Sequence, residues 1–465
     1  MSFYYPKAAM TLRAVFEDFN NKTTATEAKS YEFVVRPSRV SVAINDYTQA
    51  DTFSAEIDYK QFPFDPRCIR SLGVTIHLED TGGVENLIVP KTSNTRFIGF
   101  VDEEGIDFDE NARTVRLEGR DYTALLLDTP YILGPLSLAT PLEALLKQIV
   151  SGLPATAKLE IVNRTGSTLP TLSQYAPDYN SMGMSANGKS KENYWDKIQD
   201  LAQRAGLVVY IELDKLIVTR PRALYRRDQA IQFVYGKNLK KLSFKRKLGR
   251  QKGFNVRVVS LPVGEKKTID AKIPEEATED WCKHFGINRK RVTIPKFSKV
   301  QGKSVGEDTT AEEDAPFLTF SIPNIKSKDH LVTVGEGVFE ELGRQQIEGS
   351  MTTMDMKQKQ FVAASQDFKS FDLLGIRNAT PISIDIELKD MENMRRISTD
   401  DERVQYLLGK NYDPGVAHAI ARAYGQFDML FYTKSVEYTF DEGSMFEIKV
   451  DFINYITPFN KGLTK

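Results

Sequence analysis

Residues 183–190 read GMSANGKS, which sets Gly183, Gly188, Lys189 and Ser190 at the spacing of a phosphate-binding loop. In that chemistry backbone N–H groups at the mouth of a helix surround a phosphate. The lysine meets its charge and the serine hydroxyl its magnesium ion. A buried parallel strand must feed the loop, and a crossover helix must lead on to the next strand. Residues 173–181, SQYAPDYNS, are polar and contain a proline, so no such strand precedes the loop. LVVYIE (207–212), an apolar run ending in Glu212, is followed at once by its own hairpin partner. The stretch is therefore read as a chance match, a Gly/Ser/Asn loop ahead of a helix, and no cofactor is expected.

Other chemistry-bearing residues fall short in similar ways. Residues 183–187 begin like a nucleophile elbow but lack its closing glycine, and the histidines on hand are His77, His284, His330 and His418. Trp281-Cys282-Lys283-His284 joins two metal-ligand types with no second pair nearby. Asp102, Glu103, Glu104, Asp107, Asp109 and Glu110 could hold a cation or act as paired carboxylates, but they fall in surface turns. The basic run LKKLSFKRKLGRQK (239–252) is threaded by Leu239, Leu242, Phe244 and Leu248, which makes it a strand with a solvated basic face. No catalytic or metal-binding constellation results, so the chain is not read as an enzyme.

Periodicity shows what would position these residues. KSVEYTFDEGSMFEIKVDF (434–452) alternates on both sides of a Gly-containing turn, a β-hairpin whose buried face holds Phe446, Ile448, Val450 and Phe452 as a barrel core. PISIDIEL (381–388) repeats the pattern, and 97–119 reads as strands joined by acidic turns. Between these β-rich ends, Thr140-Pro141-Leu142-Glu143 looks like a capping box with proline at the first helical position. A second helix spans Tyr194 to Ala205, and 207–221 forms a hairpin. Helices are also expected over 335–350 and 413–425, while the polar, acidic stretch 301–316 is expected to be mobile.

Composition sets the frame. With 62 basic against 63 acidic residues the net charge is −1, too balanced to draw the chain to nucleic acid or an anionic membrane. Cys68 and Cys282 alone cannot make a disulfide framework. MSFYYPKAAM lacks a signal-peptide layout and runs such as LVVYI are too short to cross a bilayer, so a soluble product of the host cytoplasm is expected.

Taken in order, FPFDPR (62–67), LEGRDYTALLLDTP (117–130), the stretch 194–221, YGKNLKKLSFKRKLGR (235–250) and the stretch 432–452 resemble the baseplate hub proteins of contractile-tailed bacteriophages. That family includes the late control protein D group and the N-terminal hub module of the VgrG proteins. The resemblance implies a mainly β fold: a tube-type β-barrel over 1–130, a small α+β domain over 131–230, and a second barrel with helical and polar insertions over 231–465. It implies a homotrimeric ring that adapts a sixfold tail tube to a threefold spike in the virion baseplate. Implied partners are a central spike protein, tail tube or tube-initiator proteins and a tape-measure protein, with DNA only in transit through the channel. The chain departs from the pattern in lacking a long C-terminal β-helix and a lysozyme-like segment, so spike and wall-cutting functions are expected on separate chains. The alternatives are the tail-tip hub of a non-contractile tail and, from a different class, a nucleotide-driven assembly factor using the 183–190 loop.

Overall fold

Alternating apolar and polar residues set the first part of the chain as strands: β1 (Pro6–Phe16), β2 (Ser30–Val35), β3 (Arg39–Ile44), β4 (Thr52–Asp58), β5 (Ile69–Asp80), β6 (Thr95–Asp109) and β7 (Thr114–Asp121). Val40 and Val42 of β3, Phe53, Ala55 and Ile57 of β4, and Val115 and Leu117 of β7 are buried, while Ser41, Ser54, Arg116 and Glu118 between them take the other face. The computed structural model describes residues 6–17, 29–80, 88, 90–109, 111–131, 137, 139–166, 168–175, 193–205, 207–219, 231–234, 239–246, 255–262, 266–273, 291–296, 309–314, 317–322, 325–344, 347–353, 376–378, 380–385, 397, 399–426, 430–442 and 445–454.

Gly119 marks the tightest approach in this part. A Cβ there would lie 1.9 Å from the Phe100 carbonyl oxygen on β6 and 2.7 Å from the Phe53 ring on β4. Gly119→Ala should therefore push β6 and β4 away from β7, at a cost of about 1–3 kcal/mol. Thermal melting of the variant checks this, and an unchanged midpoint would refute the close approach.

The middle of the chain forms α1 (Tyr122–Asp128), α2 (Leu142–Val150), β8 (Glu160–Asn163), α3 (Leu172–Tyr175), α4 (Tyr194–Arg204), β9 (Val208–Glu212) and β10 (Lys215–Thr219). β10 pairs antiparallel with β9 and parallel with β8. Leu142, Leu145, Leu146, Ile149 and Val150 of α2 meet Trp195, Ile198, Leu201 and Ala202 of α4 in a core shared with Val209 and Leu216. Asn193 caps α4: its side chain accepts from the Asp196 N–H at 2.6 Å, and the Asp196 carboxylate accepts from the Asn193 N–H at 3.4 Å. The capping box expected at α2 is not made. Its helix starts one residue later, at Leu142, with Pro141 in the cap position. The reason is that Leu142 N–H bonds the Pro170 carbonyl (2.9 Å) and Leu172 N–H the Thr140 carbonyl (3.1 Å), which holds Thr140 and Pro141 extended.

The last part contains β11 (Ile231–Val234), β12 (Leu239–Arg246), β13 (Asn255–Ser260), β14 (Ile269–Ile273), β15 (Arg291–Lys296), β16 (Thr309–Asp314), β17 (Phe317–Ser321), α5 (Lys328–Arg344), β18 (Ile347–Thr353), β19 (Pro381–Asp385), α6 (Asp400–Gly409), α7 (Pro414–Gln426), β20 (Leu430–Asp441) and β21 (Met445–Asn454). β13, β14, β17 and α5 make a second small unit around Val256, Val258, Ile273, Leu331 and Phe339. One expectation is corrected here. The helix predicted over 335–350 runs from Lys328 to Arg344, because Ile347–Thr353 is taken up as a strand between β12 and β21. Within the stretch expected to be mobile, Thr309–Asp314 is a strand, since its backbone finds antiparallel partners in Arg291–Lys296 with Arg291 opposite Asp314. Residues 301–308 and 315–316 lie outside the described residues.

The two β-rich ends join in one sheet, ordered β12-β18-β21-β20-β3-β4-β7-β6-β5-β1-β2, with β19 added beside β20 and β11 beside β19. The seam is β3 against β20, where Val42 faces Tyr438 and Val40 faces Phe440. A single apolar core runs beneath it, from Met10 and Leu12 to Val450 and Phe452. Each half curls. β2 and β3, the ends of the first run, are tied by Arg36, Pro37 and Ser38 alone, and β11 and β12, the ends of the second, by residues 235–238. At about 3.3–3.6 Å per residue so short a tie brings each pair of ends close together.

Candidate assembly surface

Because strand side chains alternate, everything opposite this core forms one continuous polar face across β21, β20, β3, β4 and β7. Lys449 of β21 meets Glu437 of β20 at 3.8 Å, and Ser41 of β3 donates to the same Glu437 at 3.3 Å. Ser435 donates to Asp451 at 2.8 Å, and Lys240 of β12 reaches Glu447 at 3.8 Å. On β7, Arg116 pairs with Glu118 (2.5 Å), and Arg120 with both Asp102 (2.9 Å) and Asp128 (2.8 Å). Arg39, Ser41, Ser54, Glu56 and Arg116 border a shallow hollow of about 230 Å³ on this face. At these pairs the face offers hydroxyls and neutralised charge.

The residues singled out by sequence fall as follows. Phe446, Ile448, Val450 and Phe452 are buried. Gly183, Gly188, Lys189 and Ser190 lie outside the described residues, as do Cys282 and His284. Asp102 is tied to Arg120, and Asp109 accepts from the Asn111 and Ala112 N–H groups of its turn. His77 is buried between Thr11, Asn94 and Thr95, each at 3.2 Å, and burial lowers its pKa. His330 of α5 bonds the Arg204 carbonyl at the end of α4 (2.8 Å), which docks the second small unit on the first. Among the described residues no cluster of three or more His, Cys, Asp or Glu is placed to hold a metal.

One constellation escaped the sequence reading. At the corner where β7 passes into α1, Asp121 is buried and caps the helix, accepting from the Thr123 N–H (3.1 Å), the Thr123 hydroxyl (2.9 Å) and the Asp51 N–H (3.2 Å). Asp51, just ahead of β4, accepts from the Asn45 N–H (2.8 Å), and its carbonyl accepts from the Asp121 N–H (3.0 Å). Burial pushes the Asp121 carboxyl up to about 7, and burial together with the Asp121 charge pushes Asp51 well above the usual range. Around the pair, Asn378 donates to the Asn45 carbonyl. Arg377 reaches the Arg96 carbonyl (3.4 Å) and Glu212 (3.9 Å). Tyr47 stacks on Tyr210 of β9 at 5.0 Å between centroids. The Asp-Tyr-Thr run before an apolar helix was the available signal for Asp121, while nothing local marks Asp51.

No protein-family model matches the chain, and no curated protein matches it by sequence. Solved structures do match. The tail protein from Neisseria meningitidis MC58 is similar over 97% of this chain and 98% of its own, with a TM-score of 0.51 at 9% identity. The chain has the fold of that tail protein. It is mainly β, with large antiparallel pairings and an α+β unit inserted between its two runs of strands. The 43 kDa tail protein of prophage MuSo2 from Shewanella oneidensis is similar over 97% of this chain and 99% of that one, at 13% identity and a TM-score of 0.49. A chain of the half-lidded Francisella PdpA–VgrG complex is similar over 98% of this chain and 59% of that one, at 10% identity and a TM-score of 0.42.

Proposed function

We propose that the chain is a structural hub of a phage tail baseplate, working as a ring of three copies between a sixfold tail tube and a threefold central spike. The observation that carries this reading is the extent of the likeness to the Neisseria tail protein, which takes in 97% of this chain and 98% of the other. Two curled runs of strands per chain would place six around the axis of a trimer, matching a sixfold tube at its end. The polar face of the sheet suits the wall of a channel. The charges of Arg116, Arg120 and Lys449 are already paired, which would weaken their hold on DNA or tape-measure protein in transit. Spike protein and tube or tube-initiator proteins would bind the two ends of the ring, and the chain would reside in the virion.

Light scattering on the purified protein tests the reading. A particle of three 52.6 kDa chains is expected, and it should bind the spike protein when the two are co-expressed. A monomer at every concentration that also fails to bind spike or tube would sink it. So would tight, magnesium-dependent binding of ATP that Lys189→Ala abolishes.

A further inference from the structure

We propose that Asp51 and Asp121 form a proton-operated latch that sets how firmly the α+β insertion is held to the sheet. The pair sits where three separate stretches converge: the β3–β4 turn, the β7–α1 corner, and residues 376–378 ahead of β19. Asp121 accepts from three donors at once, two of them on α1 and one the Asp51 backbone, so a single carboxylate ties the insertion's first helix to the β3–β4 turn. The same turn carries Tyr47, which stacks on Tyr210 and whose carbonyl accepts from Gln199 of α4 at 3.4 Å. Opening the Asp51–Asp121 contact therefore loosens the seat of β9 and α4 as well.

The surrounding charges fix the direction of the switch. Arg377 is close enough for its charge to act on Asp51, but it is engaged by Glu212 and the Arg96 carbonyl. Glu212 in turn is held by Arg164 at 3.0 Å. Arg120, next to Asp121 in sequence, is committed to Asp102 and Asp128, and Asp46 on the turn is matched by Lys434 at 3.9 Å. Two ionised carboxylates at this corner would thus repel each other without a dedicated counter-ion. With one of the two protonated, the corner carries a single negative charge. When that proton leaves, repulsion drives Asp51 toward Arg377, which must then leave Glu212, at the C-terminal end of β9 in the insertion.

The sign follows from linkage. An aspartate released into water titrates near 3.8, whereas Asp121 in the closed corner titrates at about 7. The closed form therefore binds the extra proton between these values, has its full advantage below about pH 4, and loses it as pH rises through 7. The experiment is hydrogen–deuterium exchange on the full chain between pH 5 and 8.5, corrected for the intrinsic pH dependence of exchange. Protection of residues 45–51 and 121–128 should fall by about tenfold or more across that range, while protection of β20 and β21 holds. Asp51→Asn and, separately, Asp121→Asn should flatten the profile, since asparagine still accepts the backbone donors and caps a helix well. Asp46→Asn, on the same turn but outside the pair, should keep the wild-type profile. A flat wild-type profile, or a slope unchanged in both pair variants, overturns the latch.

Discussion

Val450→Asp should destroy the folded sheet, while Lys449→Glu one residue away should leave it standing. Val450 is fully buried, opposite Val436 on β20 and Met351 on β18, which are themselves buried. The exchange forfeits roughly 1.5–3 kcal/mol of side-chain burial and leaves an unpaired charge in a dry core, several kcal/mol more. Against a total stability of about 5–15 kcal/mol that is decisive. Because β21 lies next to the β20–β3 seam, the damage should reach the N-terminal strands and any ring they build. Lys449 points to the polar face and faces Glu437. Its reversal sets two acids across one strand pair and should cost only about 0.5–1 kcal/mol. Thermal melts and light scattering on both variants provide the check. Equal tolerance of the two changes would refute the register of β21.

Trp195→Ala should produce the second large effect, and a local one. Trp195 is buried in α4 against α2 and the β8–β10 sheet, in a core that shares no residue with the one beneath the large sheet. Removing a buried indole costs about 3–5 kcal/mol. The cost should fall on the insertion, giving loss of exchange protection in α2, α4 and β8 to β10 at temperatures where β20 and β21 stay protected. A single transition that moves as a whole would show instead that insertion and sheet unfold as one unit.

These cases show which links were legible in the sequence. The β20–β21 hairpin could be read because period two persists on both sides of a Gly-containing turn, and α4 because an apolar stripe through Trp195, Ile198, Leu201 and Ala202 ends at Gly206. The strand at 347–353 was hidden inside a helical pattern, since Val338, Phe339 and Leu342 continue in helical spacing to Ile347. Only the neighbours β12 and β21 decide its conformation. The pairing of β3 with β20 leaves no local trace at all: either strand would read the same beside any apolar partner. The same holds for the corner site. Asp121 has a helix-capping context, but Asp51 gains its meaning only from a fold that brings it there, which spacing along one chain cannot reveal.

The β3–β20 seam also imposes a schedule on synthesis. Ser41 and Glu437, which bond across it, are 396 residues apart. At about 5–20 residues per second, β3 must wait roughly 20–80 s for its neighbour to leave the ribosome. Throughout that interval the nascent N-terminal strands carry a bare hydrogen-bonding edge beside an uncovered apolar surface, the two features that favour strand-to-strand clumping. Arg39, at the start of that edge, supplies a charge that discourages such contacts without filling them. The yield of soluble protein is therefore set by how fast the distant strand arrives as well as by how tightly the finished sheet holds.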